Sequence, residues 1–202
     1  MGRGKKIILG VDIGGSKIRV LSSDGKFWEF KTPGRKKDFI GIMKKLPKAN
    51  SVNVGVAGVV RGTEVVFSPN IKYLKNYDFK KIFSRVRVDN DARFFLRREI
   101  IRSRAQGRVL GITIGTGIGR AYAERGKVRK IKVLEYPEIW EKEYQKIRDR
   151  KNDSKLAAYL VEKINLIIKK YRAEAVILGG GVLGRKGFYK KLKEKLKIKT
   201  YA

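Results

Sequence analysis

"ILGVDIGGSKIRVLSSDGK" (Ile8–Lys26) and "VLGITIGTGIGRAYAERGK" (Val109–Lys127) superimpose without a gap at an offset of 101 positions. Leu9, Gly10, Ile13, Gly14, Arg19, Gly25 and Lys26 fall on Leu110, Gly111, Ile114, Gly115, Arg120, Gly126 and Lys127. Each copy reads as a strand, a glycine turn and a returning strand, and each turns again at Asp24-Gly25 or Arg125-Gly126. Glycine after a polar residue between apolar-alternating runs is a strong hairpin signal. One chain therefore makes the same strand–turn–strand twice.

The segments downstream of the two copies repeat as well. In the first half, strands are expected over 7–13, 17–23 and 26–31, an amphipathic helix over "KKDFIGIMKKL" and a buried strand over "SVNVGVAGVV". "YDFKKIFS" suggests a short helix, and "VRVDNDARFFLRREIIRSRAQG" a strand that ends at Asp89-Asn90-Asp91 and runs into a helix closed by Gly107. In the second half, strands are expected over 109–114, 118–124 and 128–134, and helices over 138–150 and 154–171. "AEAVILGGGV" mirrors "SVNVGVAGVV" as a strand ending in glycines, and a helix over 187–196 and a strand over 197–201 complete the chain. The class is α/β, with two βββαβα lobes, residues 1–106 and a reduced 107–202. Two such lobes facing each other would leave an interlobe cleft with both glycine turns pointing into it. Glycine lets backbone approach a ligand closely, and successive N–H groups form a nest for anions. The duplication thus suggests two lobes clamping a phosphate chain.

Composition narrows the chemistry. The 202 residues, 42% of them hydrophobic, can bury a sizeable core. No apolar run approaches the roughly 18 residues of a membrane span. The basic start "MGRGKK" reads as a frayed end before the first strand rather than a signal peptide. Cysteine and histidine are both absent, which excludes disulfides, thiolate metal sites and any histidine base. Proton transfer then falls to a carboxylate. Fifty Lys and Arg against 19 Asp and Glu give a net charge of +31, which attracts polyanions. A charge-rich thermophilic surface is the plainer alternative, but it explains the number of charges better than their sign.

The glycine clusters carry a resemblance. "GVDIGGSK" is similar to the first phosphate motif of the actin-like ATPase superfamily (ribonuclease H-like fold), "GITIGTGIG" to its second, and "VILGGGV" to its adenosine motif. "VGVAGVVRGTEVVFSPNIKYL" followed by "VRVDNDARFFL" narrows this to a resemblance to the ROK family of glucokinases, other hexose and amino-sugar kinases and related repressors. The resemblance implies Asp12 at the phosphate and magnesium position, and Gly14, Gly15, Ser16 and Lys17 around the phosphates. It also implies Gly115, Thr116 and Gly117 closing from the other side, and Gly179, Gly180 and Gly181 lining the adenosine pocket. Asn70 and Asn90 would contact substrate hydroxyls, and Asp91 would be the general base. Read without the family, Asp91 is also an ordinary acid at a helix start, and Gly58 and Asn70 are ordinary turn residues.

The chain also departs from the family pattern. The family's Gly-His pair and cysteine-rich zinc motif have no counterpart, so no zinc is expected. "VLEYPEIWEKEYQ" occupies that region, with Glu135 or Glu138 as stand-ins for a family glutamate, and the Asn-Asp-Ala-Asn segment ends instead in Arg93. The family's repressors begin with a helix-turn-helix, whereas this chain starts directly with a strand, which argues against sequence-specific DNA binding. The leading expectation is a cytoplasmic ATP- and Mg2+-dependent kinase acting on a sugar-like hydroxyl, with a homodimer as a further expectation. The alternatives are a non-catalytic nucleotide- or nucleic-acid-binding protein of this fold, and a kinase that takes polyphosphate as donor.

Overall fold

The computed structural model describes residues 6–202, so most of the basic start read as a frayed end lies outside the described residues. Packing gathers the chain into two compact units, Met1–Asp91 and Ala92–Ala202. The helix after Asp91 therefore belongs with the second unit, packing Leu96 against Gly111.

The first unit opens with β1 (Ile8–Ile13), β2 (Lys17–Ser22) and β3 (Phe27–Lys31), followed by α1 (Lys36–Lys44) and β4 (Ser51–Val56). β5 (Val59–Arg61), β6 (Glu64–Phe67) and β7 (Tyr77–Asp78) come next, then β8 (Val86–Asn90). The main sheet runs β3-β2-β1-β4-β8, antiparallel through the meander and parallel from β1 to β4 to β8. Strict alternation drives its burial. Leu9, Val11, Ile13, Ile18 and Val20 point into a core shared with Phe39 and Met43 of α1, while Asp12, Lys17 and Arg19 stand on the other face. The stretch expected as one strand over 51–60 instead breaks at Ala57-Gly58, and β5, β6 and β7 form a separate three-stranded sheet. "YDFKKIFS" is accordingly a short strand followed by a single 3-10 turn, Phe79–Lys81, rather than a helix.

The second unit starts within α2 (Asp91–Ser103) and continues with β9 (Arg108–Ile114), β10 (Ile118–Glu124) and β11 (Lys127–Arg129). α3 (Glu141–Asp149), α4 (Asp153–Tyr171), β12 (Ala175–Gly179), α5 (Phe188–Lys195) and β13 (Lys199–Tyr201) complete it. Its sheet, β11-β10-β9-β12-β13, repeats the plan of the first. The third strand is shorter than the sequence suggests, because the chain leaves the sheet after Arg129 and coils into a 3-10 turn over Lys132–Glu135. α4 starts on Asn152, whose side chain accepts the Lys155 N–H, and ends on Arg172 in the left-handed region. It buries Leu156, Leu160, Ile164 and Ile167 against the sheet.

Each unit holds one of the chain's two tryptophans, Trp28 and Trp140, packed against its own core. Leu160 is fully buried, so Leu160→Ala should cost about 2–5 kcal/mol. In denaturant titrations monitored by Trp140 in a Trp28→Phe background, the expected outcome is an earlier transition.

Candidate active site

Register assembles the first unit's candidate residues. Ile13 pairs with Val56 and Val56 with Asn90, so three parallel strands end along one line. The Gly14-Gly15 turn, the Ala57-Gly58 bend and Asp91 come directly after those three ends. The side chain of Asn90, itself buried, donates from Nδ2 to the Gly58 carbonyl at 3.0 Å, and Ser68 Oγ donates to the Ala57 carbonyl at 3.0 Å. A Cβ on Gly15 would lie 2.8 Å from that of Asn70. The glycine turn and the Pro-Asn segment, widely spaced in sequence, are therefore in contact, with any side chain at position 15 excluded. Asp91 is half-buried at the first turn of α2, where the helix dipole favours a carboxylate.

Asp12 and Lys17 sit beside this line on the open face of the sheet. Asp12 pairs across the strands with Arg19, whose guanidinium is 3.9 Å away. Burial by surrounding protein lifts the Asp12 carboxyl above its ordinary range, and Arg19 offsets part of the rise. Lys17 Nζ lies 2.6 Å from Glu29 Oε1, and Arg19 Nε lies 3.1 Å from Glu29 Oε2. The Lys17 ammonium is thus engaged by Glu29. Ser16 is exposed, and its carbonyl accepts the Thr32 N–H at 3.0 Å, while Thr32 Oγ1 donates to the Gly14 carbonyl at 2.7 Å. Thr32 and Glu29 belong to no motif and escape a reading by motif. Cross-strand pairing would find Glu29, since Arg19 faces it in the ladder.

In the second unit Gly179 pairs with Thr113, which sets the triple glycine beside the end of β9 and the Gly115–Gly117 turn. Gly180 has φ +98°, and a Cβ there would collide with the Ile114 amide and carbonyl. A Cβ on Gly179 would strike the Phe95 ring, whereas one on Gly181 would meet open space. The Gly115 N–H donates to the Gly117 carbonyl at 3.0 Å and closes the turn around Thr116. A Cβ on Gly115 would find its nearest neighbour, the Gly117 carbonyl oxygen, at 4.0 Å. A Cβ on Gly117 would lie 3.5 Å from Glu141 Oε2.

The two glutamates considered as stand-ins are both engaged. The buried Glu135 carboxylate is held by the buried Arg93 guanidinium, and Glu138 Oε1 lies 3.1 Å from Arg120 Nη1. Arg120 is 1% exposed and also reaches Glu141 Oε1 at 3.1 Å. Its repeat partner Arg19 stands on the exposed face, so the same residue at equivalent places serves different ends.

The model described as ROK family matches residues 36–133. Over those residues the chain is similar to the ROK family. Over 142 residues it is 30% identical to N-acetylgalactosamine kinase AgaK of Shewanella sp. (strain ANA-3), a match covering 59% of this chain and 46% of that kinase. The chain thus spans about half the length of this curated relative. Its fold is shared with a ROK family glucokinase from Streptomyces griseus solved with glucose and AMPPNP, at TM-score 0.79 and 18% identity over 97% of this chain and 94% of that one. It is also shared with inorganic polyphosphate/ATP-glucomannokinase from Arthrobacter sp. strain KM, at TM-score 0.77 and 24% identity over 98% of this chain and 91% of that one. The fold is the α/β, ribonuclease H-like one of these kinases. Among the described residues no helix is long and apolar enough to cross a membrane.

The site's geometry sets two expected outcomes. Gly180→Ala should lose at least about 2 kcal/mol, from the left-handed backbone and the collision with Ile114, while Gly181→Ala should cost far less; thermal melts of the two variants check this. Asp12, with its folded pKa raised, stabilises the fold only while protonated, and that contribution is lost as pH rises through the folded value. Asp12→Asn should therefore melt higher than wild type at neutral pH, with the gain shrinking as pH falls through the folded pKa.

Proposed function

We propose that this chain is a kinase of the ROK type that transfers the terminal phosphoryl group of ATP to the hydroxyl of a sugar or sugar-like alcohol. The observation that carries the reading is the common line of strand ends, which brings the Gly14-Gly15 turn, Asn70, Asn90 and Asp91 to one edge of one sheet. Phosphoryl transfer asks a protein mainly for positioning and charge neutralisation, with one carboxylate to orient the attacking hydroxyl. A chain without histidine can supply all three. Asn90, its amide oriented by the Gly58 carbonyl, is suited to fix the acceptor hydroxyl, and Asp91, the next residue, to accept its proton. Backbone N–H groups of the glycine turns and the surrounding cations would hold the phosphates, and Gly179–Gly181 the nucleoside.

Asp12 is the residue that would hold Mg2+. Among the described residues no group of three or more His, Cys, Asp or Glu side chains forms a metal cage. A single partly exposed carboxylate fits magnesium bound mainly through phosphate oxygens and water, where the ion supplies charge neutralisation. The charge of +31 favours a second donor, inorganic polyphosphate, whose length would suit a basic surface. The same charge supports the alternative of nucleic-acid binding without turnover, which would show affinity falling steeply with salt.

The deciding experiment offers ATP–Mg2+ and polyphosphate to a panel of hexoses, amino sugars and polyols, with wild type beside Asp91→Asn. Loss of a general base should lower turnover by about 100-fold or more while nucleotide affinity changes little. Equal rates for the two proteins on the best acceptor would remove Asp91 from the chemistry.

A further inference from the structure

The face of the first sheet beside the Gly14-Gly15 turn carries four linked charges. Glu29 on β3 spans two cations of β2, with Oε1 2.6 Å from Lys17 Nζ and Oε2 3.1 Å from Arg19 Nε. Arg19 Nη1 in turn lies 3.9 Å from Asp12 Oδ2 on β1. Two acids and two bases sum to zero. In a chain of net charge +31 most Lys and Arg side chains have no acid to meet, yet both cations beside this turn are matched. At the 101-position offset Asp12, Lys17 and Glu29 fall on Thr113, Ile118 and Lys130, and only Arg19 recurs, as Arg120. The shared backbone plan therefore does not require the network. The second turn is backed instead from α3, where Tyr144 and Arg148 donate to the Gly115 carbonyl and Gln145 to the Thr116 carbonyl.

Core packing does not account for the network either. The side chains of Lys17 and Arg19 are each 52% exposed, and that of Glu29 is 36% exposed. A plainer role is relief of repulsion, since Lys31 faces Lys17 across the ladder. Exposed ion pairs hold a fold together only weakly, however, because water already solvates both partners. The same weakness makes the pairs easy to exchange. Hydrogen bonds from Lys17 first, and then from Arg19, hold the Glu29 carboxyl below its ordinary range, so it meets an arriving ligand as an anion. A phosphate chain carries more charge and more acceptor oxygens than one carboxylate and can take over both cations. Lys17 stands at the exit of the turn, its carbonyl accepting the Gly14 N–H at 2.9 Å. Its flexible four-carbon stem lets the ammonium change partner while that backbone stays in place.

We propose that Glu29 is a positioning residue that sets phosphate affinity: in the free protein its carboxylate occupies the Lys17 and Arg19 cations beside the first glycine turn, and an incoming phosphate chain displaces it from them. This rests on the kinase reading above and deepens it by naming an internal competitor for the donor's phosphates. Glu29 acts through the two cations and need not touch the ligand. Its removal should therefore strengthen binding, whereas the loss of a merely structural ion pair would not.

The test is calorimetric titration of the full chain with inorganic tripolyphosphate and with ATP–Mg2+ at about 0.15 M salt, where exposed charges more than roughly 8 Å apart are largely screened. Glu29→Gln keeps the shape, frees both cations and should tighten both ligands by about 3- to 10-fold. Glu29→Thr, a good strand former, gives a second variant with the same expectation. Glu124→Gln removes the same charge from another exposed ion pair, with Arg129 in the second unit, and should change either affinity less than about twofold. In a Lys17→Met background the Glu29→Gln gain should shrink, because one of the two cations it frees is gone. Melting temperatures report whether each variant folds. Unchanged or weaker binding in both Glu29 variants, an equal gain in Glu124→Gln, or an undiminished gain in the Lys17→Met background would overturn the role of Glu29 and leave the kinase reading standing. A wild-type chain that binds neither ligand would overturn both.

Discussion

The arrangement everything else hangs on is a central strand that runs antiparallel to one neighbour and parallel to the other. β1 turns back into β2 through glycines on one side and lies parallel to β4 on the other, and β9 does the same between β10 and β12. An antiparallel neighbour puts a tight turn at the strand's carboxyl end, and parallel neighbours bring their own carboxyl ends to the same edge. Residues at the ends of distant segments therefore meet with no need for direct side-chain pairing. Asn90 meets Gly58 this way, and Gly180 meets Ile114.

The two turns are then supported in different ways. Behind the first, a single threonine gives its hydroxyl to one carbonyl and its N–H to another. Behind the second stands a whole helical face, with a phenol, an amide and a guanidinium. Duplication accounts for the backbone plan but not for this difference. The two halves share the strand–turn–strand, and each has recruited its backing from whatever segment lies downstream. The same contrast separates Arg19, exposed and shared between Asp12 and Glu29, from Arg120, sealed in the interior with Glu138 and Glu141.

Much of this is legible in the sequence, because alternation and glycine turns are local signals. The 101-position repeat marks both sheets, and the strand expected over 118–124 has those same bounds in the fold. The breaks come where tertiary contacts overrule local pattern. "SVNVGVAGVV" is almost wholly apolar or small, yet Gly58 bends the chain, and a Cβ there would overlap the Phe67 carbonyl. The segment 128–134 leaves its sheet because Leu134 and Glu135 are buried elsewhere, the latter against Arg93. The site's glycines and Asn90 are readable as motifs. Their supports, Thr32, Glu29, Tyr144 and Arg148, are not, since a side chain reaching across 18 or 29 positions to a backbone carbonyl leaves no periodic trace.

The buried ion pair between Arg93 and Glu135 also constrains how the chain can vary. Both side chains are almost wholly withdrawn from solvent, and removing either one breaks a buried ion pair, which costs about 3–5 kcal/mol. Replacing both with apolar residues of matching volume carries no such penalty. Joint change at the two positions is therefore easier for descendants of this chain than change at one alone. Among its relatives, an arginine directly after the Asn-Asp-Ala triplet should travel with an acid some forty residues downstream, as one inherited unit.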